Sequence, residues 1–85
     1  REEADAALQN LLTAQQAILI AGDASFVAEE DLRVVRARYE VGAATILDIL
    51  VSQNAVTQAA ADVVTTRYDY ILARAELVAI LGREM

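Results

Sequence analysis

Apolar residues recur along this chain in alternating steps of three and four. One set runs Ala4, Leu11, Ile18, Ser25, Leu32, Tyr39, and a companion set three residues on runs Ala7, Ala14, Ala21, Ala28, Val35. A second pair begins after the midpoint: Ile49, Val56, Val63, Tyr70, Leu77 with Ser52, Ala59, Thr66, Ala73, Ile80. Seven-residue repeats sustained this long mark the seam of a coiled coil. They predict an all-α fold, a long antiparallel two-helix hairpin forming a single unit over residues 1–85. The first helix is expected from about 2 to 41, the turn at about 42–45 and the second helix from about 46 to 81. One seam position of each helix is mostly Ala, Ser or Thr, which lets two backbones approach closely.

The punctuation between the periodic runs is sparse. There is no Pro, and Gly occurs only at 22, 42 and 82. The repeat keeps its phase through Gly22-Asp23, so Gly22 reads as a weak point inside one helix, costing about 1 kcal/mol against Ala. The alternative is a break there, with Asp23 or Ser25 capping a third helix. Gly42 suits a helix end that needs a positive φ. Thr45-Ile46-Leu47-Asp48 has the spacing of a capping box, with Asp in place of the usual Glu or Gln. So short a connection makes the helices antiparallel neighbours. Gly82 reads as the stop of the second helix, just past its last turn.

Each helix carries a second apolar stripe. In the first it is Leu12, Leu19, Ile20, Phe26, Val27, Val34, Val41; in the second, Leu50, Val64, Ile71, Leu72, Val78. A two-helix hairpin buries only one seam, so the second stripes need further helices, and left bare they would form an unusually large exposed patch. This is why mean hydropathy is positive, at +0.33, although 24% of the residues are charged. The isolated chain is therefore expected to be a dimer or higher, with two hairpins packed side by side into four helices.

Composition narrows the chemistry. The chain has neither His nor Cys, which removes disulfides, zinc-finger ligand sets, thiol chemistry and the commonest general base. The net charge of −6, with every basic residue an Arg, suits no nucleic-acid backbone. No catalytic set, metal site or cofactor is expected, and an enzyme is not. The longest unbroken apolar runs, 17–22 and 77–82, are far shorter than the roughly 20 residues of a membrane-spanning helix. The chain opens on Arg1-Glu2-Glu3 without Met and is expected to be a piece of a longer protein.

Some charged and aromatic residues form patterns. Asp48, Asp62, Asp69 and Glu76 share one heptad position, with Ala55 in the gap. They form either an ordinary solvated face or the wall of a negatively lined water channel. Glu29, Arg33, Arg36, Arg38 and Glu40 cluster near the end of the first helix, with Glu29 and Arg33 in the favourable i,i+4 order. Tyr39 and Tyr70 fall on the seams and are expected to pack there; Tyr68 falls outside them.

Arg38-Tyr39-Glu40-Val41-Gly42-Ala43-Ala44-Thr45-Ile46-Leu47-Asp48-Ile49-Leu50, followed by Ser52-Gln53, Arg67-Tyr68-Asp69-Tyr70 and Leu81-Gly82, resembles the TolC-like outer membrane efflux protein family. The resemblance implies a homotrimeric channel in the outer membrane of a Gram-negative bacterium, with a helical barrel of hairpins in the periplasm. The chain would be one periplasmic hairpin, about a fifth of the parent, in a passive conduit for tripartite efflux or type I secretion. It implies that Val41, Gly42, Ala43, Ala44 and Thr45 form a tip that docks a periplasmic adaptor (membrane fusion) protein, with an inner-membrane transporter engaged indirectly. It implies that Arg38, Tyr39 and Asp48 lie at the tunnel mouth, and it makes Asp62, Asp69 and Glu76 candidate lumen-facing acids. Where some members carry a second acid three residues after Asp48, this chain has Val51; where some carry a basic residue before the Thr, it has Ala44. The other reading of the same pattern is a stand-alone structural or designed hairpin that self-associates into a four-helix bundle.

Overall fold

The computed structural model describes residues 2–84. It is a helical hairpin of two elements, α1 (Glu2–Glu40) and α2 (Ile46–Glu84), each 39 residues long. The molecule measures 65 × 13 × 13 Å, close to the ~58 Å that a 39-residue α-helix spans at 1.5 Å per residue. Charge favours both helix dipoles: Glu2, Glu3 and Asp5 open α1 and Arg38 closes it, while Asp48 opens α2 and Arg83 closes it.

The repeat positions face each other. Every seam residue named above is buried or half-buried except Tyr39. The most enclosed are Ala7, Ala21, Ala59 and Ile80, three of them alanines. Thr66, also on the seam, turns its hydroxyl back to donate to the Val63 carbonyl at 3.0 Å, so its polar atom is satisfied within its own helix. At the open end Arg83 donates to Glu3 across the seam at 3.1 Å. This exposed pair marks the register and adds little stability.

α1 passes through Gly22 and Asp23 without a break, and among the described residues only Gly42 has a positive φ. At Gly82 the expectation fails: α2 continues through it to Glu84. A glycine ends a helix when the chain turns into the left-handed region, and Gly82 does not. α1 ends at Glu40, so Val41 already belongs to the turn.

Tyr39 also departs from expectation. It is 45% exposed, because α1 stops one residue later and no further turn of α2 lies beyond to cover the ring. Arg33 pairs with Glu30, not Glu29. A helical side chain leans toward the N-terminus over both i−3 and i−4, so either acid is within its reach.

α1 is long and apolar enough, by length and composition, to cross a membrane, although its unbroken apolar runs are short. The seam accounts for part of that apolar content and the second stripe for the rest.

Candidate docking tip and acidic face

The tip is built almost wholly from hydrogen bonds. Gly42, at φ +79°, turns the chain out of α1. The Ala43 amide then donates to the Arg38 carbonyl at 2.7 Å and the Gly42 amide to the Tyr39 carbonyl at 3.1 Å. These are the 6→1 and 5→2 bonds of a Schellman motif. On the far side the Asp48 amide donates to Thr45 Oγ1 at 3.2 Å, and the Thr45 amide donates to Asp48 Oδ2 at 2.9 Å. This is the reciprocal capping box, with the shorter Asp serving. Side-chain packing contributes little: Val41 is 78% exposed, and nothing lies within 4 Å of where a Cβ on Gly42 would stand.

Of the three residues assigned to a tunnel mouth, two are occupied by the turn. Asp48 caps α2, and Arg38 Nη2 donates to the Ala43 carbonyl at 3.3 Å. Tyr39 stands exposed beside them.

The two broad faces of the hairpin differ. A groove on one face, nearer the tip, is lined by Asp23, Asp31, Val27, Val34 and Arg38 from α1 and by Asp48, Val51 and Ala55 from α2. The same face continues past Asp62, with Ala17, Ile20 and Ala24 opposite. Seven-residue spacing carries Asp69 and Glu76 along it, and both are exposed. In the middle of the run Gln58 donates to Asp62 at 3.3 Å. The other face presents Glu29, Arg33, Arg36 and Glu40 near the tip and Leu12, Gln15, Gln16 and Leu19 beside Tyr70 higher up. Arg67 and Arg74 flank the seam on that side by their heptad positions, opposite to the acids.

The acids of α2 were visible from spacing. The contribution of Asp31 and Asp23 to the same face was missed, although the antiparallel register brings corresponding flanking positions of the two helices together. The second stripe of α1 also proves to be two strips. Leu12 and Leu19 lie on the arginine side, while Ile20, Val27 and Val34 lie on the acidic side. Among the described residues no cluster of three or more acids could hold a metal ion.

Its thin core, two bare apolar flanks and small-residue tip define the chain's class as a long helical hairpin. The match to protein families gives that class its identity. The family model of outer membrane efflux proteins covers residues 2–83, and the chain belongs to that family. No curated protein and no solved structure matches it significantly. Family membership associates the chain with the outer membrane and with efflux.

Proposed function

We propose that this chain is a periplasmic α-hairpin of an outer membrane channel-tunnel, and that its tip docks a periplasmic adaptor protein. The channel is a passive, homotrimeric conduit serving tripartite efflux or type I secretion, with an inner-membrane transporter supplying the energy. The observation that carries this reading is the bare outward stripe: Leu19, Phe26, Val64, Ile71 and Val78 are each more than half exposed. A helix in a closed barrel touches a neighbour on both sides and needs two seams. In that setting the acidic face with Asp62, Asp69 and Glu76 lines the water-filled lumen, and Arg38, Tyr39 and Asp48 stand at its mouth.

The tip supports adaptor docking. Val41, Gly42 and Ala43 are exposed, small or apolar residues, where solvation alone favours polar ones. Gly42 leaves room for close backbone approach. The test is in-cell crosslinking from position 43 to the adaptor in the full-length parent, beside an export assay of Ala43→Glu. A carboxylate buried unpaired at such a contact costs several kcal/mol, so export should fail while the trimer still assembles. Normal export by this variant at unchanged trimer level removes the tip from the docking site.

A further inference from the structure

The turn has almost no packing to hold its shape, so its geometry depends on a few polar contacts. Arg38 on one side and Thr45 on the other make three each. The carbonyl of Arg38 accepts the Ala43 amide at 2.7 Å and the Val41 amide at 3.3 Å. Its guanidinium reaches over the turn and donates to the Ala43 carbonyl at 3.3 Å. Both polar backbone groups of Ala43 are thus held by one residue five positions earlier.

The location of Arg38 makes this use of its charge notable. The antiparallel register, in which Arg83 meets Glu3 at the open end, brings the same flanking positions of α1 and α2 together along the hairpin. At the tip end those positions hold Arg38 and Asp48, which line one groove. Two opposite charges there would ordinarily answer each other as Glu3 and Arg83 do. Instead Asp48 closes the capping box on Thr45 and Arg38 closes the turn on Ala43. The two charges brace the two sides of the loop. Arg38 is also in the last turn of α1, where a cation is favoured by the helix dipole.

We propose that Arg38 is a positioning residue, whose guanidinium holds Ala43 and so sets the shape in which the tip is presented to a docking partner. This rests on the adaptor-docking reading above. A planar donor at the end of a long side chain can hold a carbonyl that no main-chain amide reaches, and it does so without adding bulk to the outer surface of the tip. Val41, Gly42 and Ala43 then remain small and bare, already fixed before contact, which lowers the ordering cost of docking.

The first test uses the 85-residue chain in three forms: unchanged, Arg38→Gln and Arg38→Lys. Amide hydrogen exchange reads local opening of the turn. In Arg38→Gln, exchange at Ala43 should accelerate about threefold or more, as expected for losing a charge-assisted hydrogen bond. Exchange at Ala21 and Ala59 should not change. Arg38→Lys, which keeps a charged donor, should recover most of the protection. In the unchanged chain the Arg38 Nη–H signals should show slowed guanidinium rotation. Equal Ala43 exchange in the Gln variant and the unchanged chain, or freely rotating Arg38 Nη–H groups, overturns the proposal.

The second test uses the full-length parent and the crosslink from position 43. Its yield should fall severalfold in Arg38→Gln and return in Arg38→Lys. A yield unaffected by Arg38→Gln overturns the link between turn shape and docking. If the unsubstituted parent gives no crosslink, the adaptor-docking reading fails, and the exchange data still decide whether Arg38 holds the turn.

Discussion

Between the helices a row of small residues, Ala7, Ala14, Ala21, Ala28, Ala59 and Ala73, alternates with larger ones such as Leu11, Ile18, Leu32, Ile49, Val63 and Leu77, all buried or half-buried, whereas the outward sides carry Leu19, Phe26, Ile71 and Val78, all strongly exposed. Most of the large apolar side chains are nonetheless exposed. A fully buried Leu or Phe contributes about 1.5–3 kcal/mol, and a buried Ala considerably less. The hairpin therefore keeps the smaller share of its hydrophobic stabilisation for its own seam. The seam fixes register and close approach, and the outer stripe holds the stabilisation that only neighbours can realise.

The sharpest way to break this contrast is to charge the seam. Ala21→Glu places a carboxylate at a buried position of the seam, and it should cost about 3 kcal/mol or more. Circular dichroism should find that variant largely unfolded where Ala61→Glu, on an exposed position, retains full helicity. Equal melting of the two would mean that the seam is not where the helices meet.

Next comes the outer stripe. The unchanged chain should sediment as a dimer or larger at high micromolar concentration, and Phe26→Ser with Ile71→Ser should weaken association by at least about tenfold, or 1.4 kcal/mol. A 9.2 kDa monomer at all concentrations, with or without the substitutions, would remove the argument for neighbours.

Two glycines sharpen the comparison at smaller scale. Gly42→Val forces a β-branched residue to φ +79°, and the loss should be about 1–2 kcal/mol in thermal melts. An unchanged midpoint would show that the turn relaxes freely. Gly22→Ala should instead raise the midpoint, by up to about 1 kcal/mol of stability. Gly22 lies in continuous helix, and nothing lies within 4 Å of its missing Cβ. A loss of stability there would reveal a contact that forms only on association.

Much of this fold was legible in the sequence because it depends on period and local chemistry. The seven-residue spacing identified the seam, and Gly42 and Thr45-x-x-Asp48 identified the turn with its caps. The misread residues depend on where an element stops or which neighbour wins. Tyr39 keeps the seam phase but runs out of partner helix. Gly82 has the residue type of a helix stop without the backbone conformation. Arg33 had two acids within reach and paired with the nearer in sequence. Arg38 looked like a member of a charged cluster, and its tie to Ala43 exists only once the turn has folded. The acidic stripe on α2 was readable, but its continuation onto Asp31 required the register between helices. The candidate site was accordingly less legible than the fold.

The contact between Glu3 and Arg83 brings residues 80 positions apart in sequence side by side. Entry and exit of this segment therefore share one end, with the turn 65 Å away at the limit of the molecule's length. Such an element works as a measuring rod that can be grafted between two adjacent points of a host without disturbing either. Adding or removing seven residues in both helices together preserves the phase and shifts the far end by ~10.5 Å. Unmatched changes would shear the register. Reach in this architecture is thus quantised, and evolution or an engineer can adjust it only in paired steps.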